Sequence, residues 1–270
     1  MLQYKSDHEP FRGCIDVLGK EQHLKFLSLS ILQLDEDLQV YGCENKNEEC
    51  AIVPISGKIK LSVDDEFLES FGGRDSVFTK PADVGYVSTN SRYKISLCDH
   101  QKNAKVLICK SVSQHHYSPF IINGTDTNVV KRGKKQWMRS VRNIMCEGFD
   151  EKVDKLVLGE TINNPGQWSG YPPHRHSKNI PPMELPFEEI YYYEFKPENG
   201  FGVQVHYGSD YEEDQGYLIK TGDAFAIPDG FHPVVAGGGY KLYYLWFMAG
   251  PSGRNLMPYK DPIYQTIEKI

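Results

Sequence analysis

No apolar run in this chain approaches the roughly 20 residues that a helix needs to cross a bilayer. Its opening, MLQYKSDHEPFRG, lacks the basic start and apolar stretch of a secretory leader. A soluble, cytoplasmic protein with no membrane partner is the expectation. Cysteine is sparse and scattered: the six stand at 14, 43, 50, 98, 109 and 146 without a C-x-x-C pair. That spread suits reduced, mostly buried thiols and argues against a disulfide framework. Positive charge is in deficit, with 30 Lys and Arg against 36 Asp and Glu and a net charge of -6. Counterion release on nucleic acid needs a broad basic surface, so no nucleic-acid partner is expected. Helical periodicity is scarce too, since few windows carry apolar residues at a 3.6-residue spacing.

Strand signals fill the space. The stretches 50–63, 83–88, 92–99 and 104–111 mix β-branched and aromatic residues between Gly, Pro, Asn and Asp, and 155–162, 189–195, 201–208, 223–228 and 240–250 do the same. Turns recur at short, regular intervals. Many short strands so spaced indicate an all-β sandwich or barrel. A length of 270 residues supports one large domain or two of ordinary size. The middle is polar and turn-rich, then strongly basic: Lys131, Arg132, Lys134, Lys135, Arg139 and Arg142 follow one another with no acid between them. The boundary between halves is placed there, giving residues 1–128 and 129–270. A loose parallel between GGRDSVFTKPADVGYVS (72–88) and YLIKTGDAFAIPDGFHPV (217–234) suggests related halves.

The chemistry concentrates in SGYPPHRHSKN, residues 169–179. On a strand, His174 and His176 project to one face and Arg175 to the other. Two imidazoles on one face can close on a common ion when neighbouring strands supply the remaining ligands. Downstream, TGDAFAIPDGFHPV (221–234) has the form G-x5-P-x-G-x-H from Gly222 through Pro228 and Gly230 to His232. Two turns there flank a short apolar strand, and the second presents a histidine. Between the two motifs, ELPFEEIYYYEF (184–195) offers Glu184, Glu188 and Glu189 as the acid. The face of Glu189 continues as Tyr191, Tyr193 and Phe195 and is the more interior. A carboxylate beside aromatics is costly to bury unless paired or metal-bound. Three imidazoles and a carboxylate suit zinc, manganese, iron or nickel.

These residues resemble the cupin superfamily, although the acid lies further from His176 and the second motif is one residue shorter than that pattern. The run GETINNPGQWSGYPPHRHSKN, with EEIYYYEF, GFGVQVHYG, GDAFAIPDGFHPV and YKLYYLWFMAGP, more closely resembles the 5-deoxy-glucuronate isomerase family of inositol breakdown. That family is related to the 4-deoxy-L-threo-5-hexosulose-uronate ketol-isomerases, and both are bicupins. PISGKIKLSV and LESFGGRDSVFTKPADVGYVS in the first half carry the same resemblance. It implies two double-stranded β-helix (jelly-roll) barrels, one without metal over 1–128 and one with it over 129–270. It also selects Glu189, immediately before I-Y-Y, so the implied ligands are His174, His176, Glu189 and His232, with Glu188 the alternative. One divalent ion per chain is expected, zinc or manganese first.

The implied reaction is an aldose–ketose isomerisation, 5-deoxy-D-glucuronate to 5-dehydro-2-deoxy-D-gluconate. The substrate carboxylate needs a cation, and Arg139 and Arg142 are the candidates, since guanidinium grips a carboxylate with two prongs. Gln204 occupies a glutamine position of the family and is read as orienting substrate or a metal-bound water. Tyr191 and Tyr244 are candidate donors to sugar oxygens. No acid–base residue is assigned, and His206 and the His115–His116 pair stay outside the site. The tail SGRNLMPYKDPIYQTIEKI departs from the family, keeping only Asp261-Pro262 of its aromatic-rich ending. Competing readings are a related uronate ketol-isomerase, an iron-dependent cupin dioxygenase and a non-enzymatic sugar-binding cupin. A homo-oligomer is compatible with each.

Overall fold

A computed structural model describes residues 1–7, 9 and 11–269 of the chain. Among them there is no α-helix, only strands and short 3-10 turns; no helix is long and apolar enough to cross a membrane. After β1 (Gln3–Tyr4), the first half runs through β2 (Gly13–Leu18), β3 (Leu27–Asp35), β4 (Val40–Asn45), β5 (Glu48–Val63), β6 (Glu66–Arg74), β7 (Val84–Val87), β8 (Ser91–Leu97), β9 (Asn103–Val112) and β10 (Phe120–Ile122). The second half continues with β11 (Val129–Arg132), β12 (Arg139–Met145), β13 (Val157–Asn163), β14 (Trp168–Ser169), β15 (His174–Arg175) and β16 (Glu188–Lys196). It ends with β17 (Phe201–His206), β18 (Gln215–Lys220), β19 (Ala224–Ile227), β20 (Val234–Ala236), β21 (Lys241–Ala249) and β22 (Tyr259–Lys260).

The two halves repeat one topology. In the first, a sheet runs β10-β7-β5-β9-β3-β2; in the second, β1-β19-β16-β21-β13-β12-β11. The long β5 bends at Pro54–Ser56 and carries its far end into pairing with β6 and β8, which in turn pairs β4. The smaller sheet of the second half, β14-β20-β17-β18, occupies the matching place. One exchange breaks the separation: β1 pairs β19, so the start of the chain closes the sheet of the second half.

Strand alternation distributes the core. On β5, Cys50 and Ile52 turn inward with Leu32, Leu34, Val106 and Ile108. Ala51 and Val53 turn outward with Leu29, Ile31, Leu107 and Cys109 and join Ile190, Tyr192 and Phe247 of the second half in one continuous core. Both faces of that sheet are buried, which is why CAIVPI and VLIC read as unbroken apolar runs.

Two buried glutamates fasten the halves reciprocally. Glu49, at the start of β5, accepts from the backbone N–H of Asp154, Lys155 and Leu156 at 2.9, 2.7 and 2.7 Å. Glu188, at the equivalent start of β16, accepts from Lys25, Phe26 and Leu27 at 2.7, 2.8 and 3.3 Å. Each carboxylate satisfies the donors of a turn entering a strand of the other half.

Candidate metal centre

His174 and Arg175 form the short β15, which pairs antiparallel with β22 of the C-terminal tail. Arg175 is held on its far side by Glu184 at 3.2 Å and lies over the rings of Phe231 and Tyr259. Glu184 also accepts from the backbone of Ser177 and Lys178 at 2.7 and 2.8 Å, fixing the chain just beyond His176. The turn after β19 presents His232. Gly230, at φ 80°, makes that turn possible, and its N–H donates to Ser177 Oγ at 2.9 Å, tying the two histidine-bearing segments together.

The three imidazoles converge. Ring centroids of His174 and His176 both lie 4.9 Å from that of His232 and 6.2 Å from each other. One nitrogen from each ring falls within 4.8 Å of the others. Glu189 Oε2 stands 3.1 Å from His176 Nε2 and 3.2 Å from His232 Nε2. Of the three candidate acids, alternation on β16 turns Glu189 to the histidines and Glu188 to the opposite half, while Glu184 serves Arg175.

The imidazole tautomers are set from behind. His176 Nδ1 lies 2.6 Å from the Phe187 carbonyl and His232 Nδ1 lies 2.9 Å from the Gly230 carbonyl, so both Nδ1 atoms are the protonated donors. Each Nε2 is left with a lone pair aimed into the cluster. His232 Nε2 is fully buried and, despite its nearness to Glu189, has no partner in hydrogen-bonding geometry. An orphaned buried nitrogen among lone pairs and a carboxylate fits a divalent cation. Charge in the cluster is mixed: burial opposes protonation of His176, yet its contact with Glu189 raises it. Burial and the two neighbouring imidazoles hold His174 well below the usual histidine range. Burial opposes ionisation of Glu189, yet His176 and His232 pull it down to about 2, so it stays a carboxylate.

His174, His176 and Glu189 line a cavity of about 820 Å³, as do Arg139, Tyr191 and Tyr244, with His232 behind them. Tyr191 and Tyr244 sit with ring centroids 4.7 Å apart, and Tyr191 lies 6.1 Å from the His232 ring. Burial, with the Glu189 charge, pushes the Tyr191 hydroxyl well up. Burial also raises Tyr244, partly offset by Arg139 and by a short hydrogen bond to Ser169. Both are therefore neutral hydroxyls.

Two expected contacts are corrected. Arg142 does not line the cavity: three residues from Arg139 on one strand, it leaves the opposite face and pairs with Glu160 at 3.2 Å and the Thr127 carbonyl at 2.5 Å. Gln204 does not reach the cavity either. Buried beneath it, Gln204 donates to the His232 and Pro233 carbonyls at 2.9 and 3.3 Å and accepts from Tyr193 at 2.8 Å, so it supports the turn that carries His232. Sequence reasoning missed Arg132, Asn143 and Thr161 on the cavity wall. The hairpin signal around Gly133 would have placed Arg132 beside Arg139. The divergent tail is also wall, since residues 252–258 line the cavity before β22 locks onto β15.

The model of the KduI/IolB family matches residues 2–267. The chain belongs to the KduI/IolB family. A curated KduI/IolB relative from Bacillus velezensis, named 5-deoxy-glucuronate isomerase, is 35% identical over 253 residues, 93% of this chain and 91% of its own. Among solved structures, an IolB-like protein of Salmonella typhimurium LT2 is similar at a TM-score of 0.88 with 25% identity, covering 99% of both chains. The oxalate decarboxylase of Lactobacillus farciminis, in its formate complex, shares the fold at a TM-score of 0.66 and 12% identity over 96% of this chain and 88% of that one. The fold is the all-β bicupin that the repeated strand order describes, as the resemblance to the 5-deoxy-glucuronate isomerase family implied.

Proposed function

We propose that the protein is a metal-dependent aldose–ketose isomerase converting 5-deoxy-D-glucuronate to 5-dehydro-2-deoxy-D-gluconate, with His174, His176, Glu189 and His232 as ligands of one divalent ion, zinc or manganese. Carrying the reading is the convergence of three imidazoles and one carboxylate at the edge of a cavity in a chain of the KduI/IolB family. Residues 1–128 are read as the barrel without metal and 129–270 as the one that bears it. The 35% identity to a relative named 5-deoxy-glucuronate isomerase supports the substrate.

Isomerisation moves one hydrogen between adjacent carbons and relocates a carbonyl. A bound divalent ion supplies Lewis acidity toward the carbonyl and hydroxyl oxygens. The chain's own side chains bind and orient. The neutral hydroxyls of Tyr191 and Tyr244 donate to sugar oxygens and remain protonated at neutral pH, so neither is a base. Arg139 offers its guanidinium to the substrate carboxylate. Gln204 keeps the His232 backbone in place, and Glu184 does the same for His174 through Arg175. Met248 and Trp246 give the cavity an apolar wall.

The test is metal-loaded protein incubated anaerobically with 5-deoxy-D-glucuronate in deuterated water and followed by NMR. Appearance of the ketose is expected, and deuterium at the new carbon marks transfer as an exchanging proton. Absence of the ketose together with oxygen consumption in air would replace the isomerase by an oxygenase.

A further inference from the structure

The chain has eight arginines, at 12, 74, 92, 132, 139, 142, 175 and 254. Six have a carboxylate at salt-bridge distance: Arg12 with Asp35, Arg74 and Arg142 with Glu160, Arg92 with Asp65, Arg175 with Glu184 and Arg254 with Asp150. Among the described residues, Arg132 and Arg139 have none. These same two stand directly opposite each other on the β11–β12 ladder. Directly paired residues leave the same face with Cβ atoms about 5 Å apart, and like charges so placed repel. Both line the cavity that contains His174, His176 and Glu189. Lys131, one residue away on the other face, is spent on Ser140 at 2.6 Å.

We infer that Arg132 and Arg139 form a two-arginine clamp for the carboxylate of an open-chain sugar acid, with Arg132 a specificity-determining residue. Arg139, half-buried, is fixed by donating Nη1 to the Trp137 and Tyr171 carbonyls at 3.2 and 3.3 Å, which leaves its remaining N–H groups for a ligand. Arg132 is exposed and closes on the same anion from the neighbouring strand. The bound carboxylate relieves the repulsion between the guanidinia and sets which end of the sugar faces the histidines. A neutral sugar gains nothing from either guanidinium and binds more weakly than the acid. The identity of the sugar rests on the isomerase reading; the preference for an anion does not.

Two probes that cannot isomerise separate these. One is 5-deoxy-D-glucuronate with its aldehyde reduced to an alcohol; the other is the alditol with both ends reduced. Binding to metal-loaded full-length protein is measured by calorimetry, with metal content checked in every variant. Arg132→Gln and Arg139→Gln are each expected to weaken the acid about tenfold to a hundredfold and to leave the alditol unchanged. Lys131→Gln, removing the same charge from the other face, is expected to change neither. The clamp is overturned if Arg132→Gln binds the acid as wild type does, if both probes weaken together, or if Lys131→Gln loses as much. It is also overturned if the arginine variants lose inorganic phosphate binding while keeping the acid. A protein that binds the acid through both arginines but never isomerises the uronate removes the isomerase reading and leaves the clamp standing.

Discussion

His174 on β15 and His176 just beyond its end both face His232, as the H-x-H spacing suggested. The same rule misled for arginine. Arg139 and Arg142 sit three apart, an odd spacing, so they take opposite faces once residues 139–145 form a strand, and that strand was not read in the basic run. Gln204 was placed at the site but on the wrong layer, since nothing local tells whether a buried amide meets ligand or backbone. Because Gln204 holds the His232 and Pro233 carbonyls, Gln204→Leu is expected to weaken metal binding about 10- to 100-fold, measured by competition with a chromogenic chelator, while the fold survives. None of the six cysteines pairs with another, as their scatter implied, but only Cys50 and Cys109 are buried and the other four are half-buried. Burial pushes Cys50 to about 12 and raises Cys109 well above the thiol range. Both should resist alkylation at pH 8 in the folded protein, whereas mass spectrometry after unfolding should find six modified thiols.

At the level of elements, long strands were readable and short ones were not. The stretch 50–63 emerges as Glu48–Val63 and 240–250 as Lys241–Ala249, because their composition reports burial on both faces. β15 and β22 are two residues each and exist only through pairing with one another, a contact across more than 80 residues of chain that no local window contains. The tail is thus a wall of the cavity. Asp261 anchors it, accepting from Tyr207 at 2.8 Å and donating its backbone N–H to the Pro173 carbonyl at 2.9 Å. Tyr207→Phe removes one hydrogen bond and should lower stability by about 1 kcal/mol. Asp261→Ala strips the carboxylate from both Tyr207 and the turn at Ile263, and is expected to raise KM more than it lowers kcat, as steady-state kinetics would show.

For the whole molecule, the repeat of strand order is the main feature that the amino-acid pattern only hinted at. The parallel drawn between 72–88 and 217–234 was out of register, since Pro81 precedes β7 while Pro228 follows β19. Topology is kept by backbone pairing after the side chains that would reveal it have diverged. The glutamate fasteners are equally non-local. Removing Glu49 or Glu188 strands three backbone donors, so either change to Ala should destabilise by about 3 kcal/mol or more in urea. Asp154 adds a pH-dependent contact, its carboxylate accepting from Ser113 Oγ and Gln114 N–H at 3.0 Å each. Burial would raise it, but these donors and His115 hold it below its ordinary value of 3.8. A depressed carboxylate stabilises fully above its unfolded value and loses that contribution as pH falls through the folded one. The stability gap between wild type and Asp154→Asn should therefore close as pH falls below about 4.

The proposed function turns on one divalent cation, which we propose is held by His174, His176, Glu189 and His232. The decisive measurement is activity of metal-free protein toward 5-deoxy-D-glucuronate as zinc or manganese is added back in substoichiometric steps. Turnover should rise linearly and level at one equivalent per chain. In His174→Ala, loss of several kcal/mol of transition-state stabilisation should leave turnover down on the order of a thousandfold at the same metal concentration. Full turnover by the metal-free chain, or by His174→Ala with no ion bound, would contradict it.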